Sequence, residues 1–227
     1  MVLEDDRNPD LVYVGTDGGV YLSLNRGQTF MPLMKDMPPV PVHDLKLQRR
    51  ERDLVVGTHG RSIYIADVGL IQTLDSTMMA RRVYVYPVEP VTHSAAWGRS
   101  SATWAEPNTP LIGIAYWAST SAPTTIRVKG QGGVVLYDTT DAAERGLNFV
   151  RYDLRVQRRN LSREQQDRYK LAPNGMAYLP VGTYTVEITA GGQTATTTLE
   201  VKAPPPRRRR SGPPSPEPEE VREEREE

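Results

Sequence analysis

The chain has 227 residues, no cysteine, and 28 basic against 28 acidic residues, which gives a formal net charge of zero. The absence of cysteine excludes disulfides, thiol catalysis and cysteine-based zinc sites. The balanced charge gives no general attraction to nucleic acid, and no apolar run approaches the length that spans a membrane. We therefore expect no nucleic-acid partner and no membrane span, and no motif in the sequence predicts a cofactor.

One segment near the N-terminus occurs twice. Residues 10–23 read DLVYVGTDGGVYLS, and residues 53–65 read DLVVGTHGRSIYI, with Gly15 matching Gly57 at an offset of 42 residues. Short strand–glycine–strand units at this period are typical of β-propeller blades. Because a propeller closes only with several blades, we predict that residues 1–70 form incomplete terminal blades. Their expected partners are upstream blades of the same or a longer protein.

The turn of the second copy consists of Gly57, Thr58, His59, Gly60 and Arg61. We interpret it as the structural turn of a hairpin, since glycine tolerates the positive φ that tight turns need. A metal or catalytic role for His59 is the alternative. His43, His59 and His93 lie far apart in the sequence and lack the spacing of a zinc site, which favours the structural role.

The segment after the first copy reads SLNRGQTF and contains Ser23, Asn25, Gly27, Thr29 and Phe30. These residues resemble a degenerate Asp-box of BNR-type propellers, with Asn25 in the usual Asp position and Phe30 in the usual Trp position. The resemblance implies a structural turn between the outer strands of a blade, with the aromatic residue wedged between sheets. A sialidase-like site is the alternative function, although a shared fold does not establish a shared function.

The second half of the chain has the alternating strand pattern of an antiparallel β-sandwich. Candidate strands lie at 111–117, 125–129, 134–137, 147–154, 183–188 and 194–201. We therefore predict an Ig-like domain over residues 111–202 and a connecting segment over residues 71–110. The core is expected to include Ile114, Tyr116, Ile126, Phe149, Tyr184, Val186 and Leu199. On that basis, truncating Phe149 to Ala would cost about 3–5 kcal/mol.

Two further segments have distinctive composition. Residues 160–169 are polar, and Ser162 is a plausible N-cap for a short surface helix. Residues 203–227 combine prolines with the basic run Arg207–Arg210 and then an acidic end. Such composition cannot build a core, so we predict a disordered tail.

The run DLVVGTHGRSIYI, which leads to Asp67, resembles the last blade of bacterial BNR/sortilin-type (VPS10-like) propeller proteins. The segments NFVRYDLR at 148–155 and PVGTYTVEI at 180–188 resemble the FlgD-type Ig-like domain that often follows such propellers. The resemblance implies an all-β protein that is exported to the periplasm, the cell surface or the medium. The N-terminal residues lack the basic and apolar regions of a signal peptide, so either the protein stays in the cytoplasm or the export signal lies upstream, and the incomplete blades favour the second.

Two hypotheses for function follow. The sequence lacks the arginine cluster, tyrosine nucleophile and separate acid that a sialidase-type hydrolase needs, which favours a non-enzymatic binding or spacer module at the C-terminal end of a BNR-repeat protein. A protein or a glycan is the candidate ligand. The alternative is a fragment of a glycoside hydrolase whose catalytic part lies upstream.

Overall fold

The computed structural model describes residues 1–34 and 37–206 and is built almost entirely from antiparallel β-sheets. The all-β fold class predicted from the sequence is confirmed. Residues 207–227, which include the predicted basic run and acidic end of the tail, lie outside the described residues. No helix in the described part of the chain is long and apolar enough to cross a membrane.

Each copy of the repeat forms one sheet. The first sheet contains β1 (Val2–Glu4), β2 (Val12–Thr16), β3 (Gly19–Ser23) and β4 (Met31–Pro32), paired in that order. The second contains β5 (Val42–Gln48), β6 (Asp53–Thr58) and β7 (Ile63–Asp67), also paired in chain order. The two sheets share one core, which includes Leu11, Tyr13, Leu22, Leu45, Leu54 and Val56. We call residues 1–80 the two-sheet unit.

Gly15 lies where the two sheets approach each other closely. A Cβ atom added there would be 2.5 Å from Cγ1 of Val42, whereas one added at the equivalent Gly57 would be 3.6 Å from Cβ of Asp44. The first distance is a steric clash and the second is an ordinary van der Waals contact. Gly15 is therefore required by packing, although both glycines occupy the same place in the repeat.

We expect Gly15→Ala to destabilise the protein by about 1–3 kcal/mol, the cost of inserting a methyl group into a packed core. Gly57→Ala is the matched control and should cost clearly less. Urea unfolding followed by circular dichroism measures both changes. Equal losses in the two variants would contradict the close approach at Gly15.

Short helices and turns follow the two sheets. Helices α1 (Gly69–Gln72) and α2 (Ser76–Met79) come directly after β7. The Oδ1 atom of Asp67, the acidic position noted in the sequence, accepts a hydrogen bond of 2.7 Å from the backbone N–H of Gly69. Ile71 and Leu74 then bury their side chains in the core of the two-sheet unit.

The C-terminal part is a β-sandwich. Its strands are β8 (Val83–Val85), β9 (Val91–Thr92), β10 (Ile112–Ala118), β11 (Ala122–Lys129), β12 (Val135–Ala143), β13 (Gly146–Tyr152), β14 (Arg155–Val156), β15 (Ala177–Tyr178), β16 (Gly182–Ala190) and β17 (Gln193–Lys202). One sheet has the order β13-β10-β8, and the other has the order β12-β11-β16-β17-β9. Strands β14 and β15 form a small additional ladder, and helix α3 (Arg163–Arg168) lies between them in the chain.

Strands β8 and β9 both come from the segment that the sequence indicated as a connection. Strand β8 pairs antiparallel with β10, and β9 pairs parallel with β17. Val83, Val85 and Trp97 are buried in the sandwich core. Residues 83–97 are thus integral to both sheets of the sandwich and not merely a connection.

Strand β10 belongs to two cores at once. Ile114, Tyr116 and Ala118 on one face lie in the sandwich core, and Ala115 and Trp117 on the other face lie in the core of the two-sheet unit. A strand buried on both faces has a nearly continuous apolar sequence, and the run LIGIAYWA has that character. The sheet that contains β10 is therefore the middle layer of the molecule.

Six of the seven predicted core residues are buried in the sandwich, and Phe149 is not. Its side chain is 61% exposed, whereas Val150 and Tyr152 on the same strand are buried. The prediction for Phe149 is wrong because the inward face of β13 is the one that carries Val150 and Tyr152. Phe149 lies opposite Ala115, on the face of the sheet directed toward the two-sheet unit.

The predicted surface helix is confirmed in shorter form as α3. The hydroxyl of Ser162 accepts a hydrogen bond from the backbone N–H of Gln165, and the Gln165 side chain accepts one from the backbone N–H of Ser162. This reciprocal pair is a capping box, which satisfies two otherwise unpaired donors at the helix start.

Candidate functional site

The turn that resembles an Asp-box connects β3 to β4 and is held by side-chain hydrogen bonds. The hydroxyl of Ser23 accepts from the backbone N–H groups of Asn25 (3.2 Å) and Gly27 (2.8 Å). The Asn25 side chain accepts from the backbone N–H of Thr29 and donates to its hydroxyl, at 2.9 and 3.0 Å. Gly27 has a φ of +82°, which disfavours other residues. Ser23, Asn25, Gly27 and Thr29 therefore fix the conformation of the turn.

Phe30, the fifth residue of the motif, is 47% exposed. It does not form the buried wedge between sheets that the resemblance implied. Its ring lies instead at the mouth of a cleft, where Thr29 is also part of the wall. The turn thus holds an aromatic side chain at the surface of the molecule.

The turn of the second copy connects β6 to β7 within its hairpin, whereas the Asp-box-like turn follows the last strand of the first hairpin. The hydroxyl of Thr58 donates a 2.6 Å hydrogen bond to the carbonyl of Ser62, and Gly60 has a φ of +77°. The rings of His59 and His43 stack at a centroid distance of 5.0 Å, although the two residues are distant in the sequence. Pairing of β5 with β6 brings them together. The described residues contain no group of three or more potential metal ligands.

A cavity lies at the junction between the two-sheet unit and the sandwich. We call it the junction cleft, and its volume is about 520 Å³, within the range of roughly 300–1,000 Å³ typical of ligand sites. Edge strand β4 and the Asp-box-like turn form one wall, and the β12–β13 turn with the start of β13 forms the other. The lining residues used below are Phe30, Met31, Pro32, Trp117, Arg145 and Leu147.

The floor of the junction cleft includes Trp117 of β10. Its side chain is buried, and its indole N–H has no hydrogen-bond acceptor among the described residues. A buried donor of this kind usually has a water or a ligand as its partner. Leu147 of β13 lies directly opposite Trp117, so the two side chains share one face of the sheet.

Sequence reasoning did not identify the junction cleft. Thr29 and Phe30 were singled out for their motif, but Trp117, Arg145 and Leu147 were treated as parts of a strand or a turn. The apolar character of both faces of β10 was the one available signal, because it shows that a second layer covers the strand. It does not show where that layer leaves a gap.

A second apolar surface lies on the outer face of the β5–β7 sheet. Lys46, Val55 and Ile65 are aligned across its three strands, and Ile63 is on the same face because it is two residues from Ile65. Ile63 and Ile65 are 65% and 64% exposed. Strand β7 is also the edge of its sheet in the described part of the chain.

A smaller cavity of about 250 Å³ lies between α3 and the start of β16. Its walls include Tyr169 and Tyr184, and burial raises the pKa of both phenols above the ordinary value. The hydroxyl of Tyr184 donates to the carbonyl of Pro180 at 2.7 Å. These tyrosines stay neutral at physiological pH and act in packing and hydrogen bonding.

Comparison with known proteins adds little to this description. No family model and no curated protein matches the chain. One solved structure that the chain is similar to is described as "Biofilm associated protein - BSP domain". The sequence identity is 10%, the TM-score is 0.29, and the alignment covers 89% of this chain and 24% of that one. A likeness this weak carries no argument about fold or function.

Proposed function

We propose that the chain is a non-enzymatic binding module that docks further β-sheets, as the terminal part of a larger blade array. The observation that carries this proposal is the outer face of the β5–β7 sheet. Exposed apolar patches rimmed by polar residues mark interaction sites on folded proteins. Here Ile63 and Ile65 are alternate residues on one face of an edge strand, and the exposed Lys46 and Gln48 lie on the same face of β5.

The first sheet has a similar outer face. Val2, Val14 and Tyr21 are aligned across β1, β2 and β3, and Val2 is 63% exposed. Blades of a propeller stack face to face around a central axis. Such stacking buries apolar residues, and the two-sheet unit has them on both of its outward faces.

The resemblance to BNR/sortilin-type propellers and FlgD-type domains supports this function and an exported location. The binding function and the exported location are both parts of the proposal. The partner that fits best is another β-sheet with an apolar face, because Ile63, Ile65 and Val55 present no group that would select a glycan.

Replacing Ile63 and Ile65 together by Lys tests the proposed docking face. Without further blades, a second copy is the partner that can cover it, so we expect the wild-type protein to associate reversibly as its concentration rises. The double variant should remain monomeric, because two charges on this face cannot be buried against an apolar sheet. Sedimentation velocity over a concentration series measures the difference.

The matched control replaces Leu111 and Leu171 by Lys. These residues are 60% and 55% exposed and lie in the C-terminal part of the chain. The control should associate like the wild type. A wild-type protein that is monomeric at every concentration, or a double variant that associates equally well, would refute the docking face.

A further inference from the structure

We propose that the junction cleft and the free edge of β13 together bind an extended acidic peptide segment. The segment adds to β13 as a new strand and places one apolar side chain in the cleft. This site lies on a different strand and a different face from the β5–β7 surface, so it can fail or succeed independently of the proposed function.

Strand β13 has an edge that pairs with no other described strand. Strand β13 is seven residues long and pairs only with β10 among the described residues. Apart from the pairing with β10, its residues form no backbone–backbone hydrogen bonds within the described chain, and the Asn148 side chain donates to the carbonyl of Gly146 at the start of the strand. Such an edge is a template for another strand, and peptide-binding domains use this mode, in which main-chain hydrogen bonds give affinity.

Two apolar side chains lie on one face along that edge. Leu147 is part of the cleft wall, and Phe149, two residues further on, is 61% exposed on the same face. The two side chains are about 7 Å apart along the strand. An added strand would place one side chain beside Leu147 in the cleft and its next alternate side chain beside Phe149. The exposed Phe149 side chain would then pack against a side chain of the peptide.

Two basic side chains lie near the ends of that edge. Arg145 precedes β13 and borders the cleft, and Arg151 lies near the end of the strand on the face that carries Phe149. Both are exposed, and neither forms a salt bridge with any described residue. Glu144, which also lines the cleft, already has an interaction partner. Two cations that flank an apolar edge favour a segment with carboxylates beside its apolar residues.

The opposite wall limits which segments fit. Edge strand β4 consists of Met31 and Pro32, and proline has no backbone N–H to donate. Strand β4 therefore offers an apolar surface and only limited pairing, so the main-chain hydrogen bonds must come from β13. The cleft volume, about 520 Å³, accommodates a large aliphatic or aromatic side chain.

The probe is an acetylated and amidated peptide of alternating Glu and Leu, titrated into the full chain by isothermal titration calorimetry. We expect saturable binding, and we expect the peptide of alternating Lys and Leu to bind at least about tenfold more weakly. Phe149→Ser should weaken binding by a similar factor. Leu171→Ser, at a comparably exposed leucine, is the control and should leave binding unchanged.

Two N-methylated versions of the peptide test strand addition directly. Amides of a β-strand point alternately to either side, so methyl groups on one set of nitrogens block pairing with β13 and methyl groups on the other set do not. One version should retain binding and the other should lose it. Equal behaviour of the two versions, no binding of the Glu–Leu peptide, or undiminished binding to Phe149→Ser would overturn the proposal. Binding of dodecanoate without binding of any peptide would also overturn it and assign the cleft to small apolar anions.

Discussion

A fragment of residues 105–202 is expected to lack a cooperative thermal transition, whereas a fragment of residues 81–202 should show one. The shorter fragment contains the sandwich that the sequence predicted, residues 111–202, and the end of the segment that precedes it. It lacks β8 and β9, and it therefore loses the buried side chains of Val83, Val85 and Trp97 from the sandwich core. The loss of two buried valines and a buried tryptophan costs more than the whole net free energy of unfolding of a small domain.

Both fragments lack the two-sheet unit, so their comparison isolates the contribution of residues 81–104. The full chain should melt at the highest temperature, because only there is the Trp117 face of β10 covered. Differential scanning calorimetry and near-ultraviolet circular dichroism provide the measurements. If residues 105–202 melt cooperatively at the same temperature as residues 81–202, then β8 and β9 are dispensable additions to the sandwich.

Tyr152→Ala is expected to cost about 3–5 kcal/mol, the range for a large buried aromatic side chain truncated to Ala. The Tyr152 side chain is 1% exposed, and its hydroxyl donates to the carbonyl of Arg155 at 2.9 Å. Phe149→Ala on the same strand should cost less than about 1 kcal/mol, the level of an exposed site. The pair of variants therefore determines which face of β13 is directed inward.

Tyr152→Phe separates packing from hydrogen bonding. It keeps the ring and removes the hydroxyl, so the expected loss is about 0.5–1.5 kcal/mol. Urea unfolding of the three variants gives the free energies. A Phe149→Ala loss as large as that of Tyr152→Ala would restore the register that the sequence suggested and would also remove one support of the peptide site.

The sequence predicted those features that depend on neighbours in the chain. The repeat at residues 10–23 and 53–65 predicted two similar hairpins, because apolar alternation around a glycine turn is encoded locally. Ser162 identified the start of α3, because a helix cap depends on residues within one turn of the chain. The all-β class followed in the same way from alternating residues and short turns.

The register of β13 could not be predicted from such local signals. Leu147 and Phe149 on one face compete with Val150 and Tyr152 on the other, and both pairs are apolar. Which pair is buried depends on the sheet that packs against β13, and that sheet includes strands that are distant in the chain, such as β17 (Gln193–Lys202). Exposure of Phe149 is therefore a property of the tertiary structure.

The roles of β8, β9 and the junction cleft depend on tertiary structure for the same reason. The alternation at residues 81–87 fits either a short strand or an extended linker, and Val91–Thr92 is too short to indicate a strand by itself. Both segments become strands because β10 and β17 offer free edges. The junction cleft exists because Trp117 and Leu147 of one sheet meet Phe30 and Met31 of another. Local sequence determined the hairpins and their turns, and the packing of distant sheets against both faces of β10 determined the site.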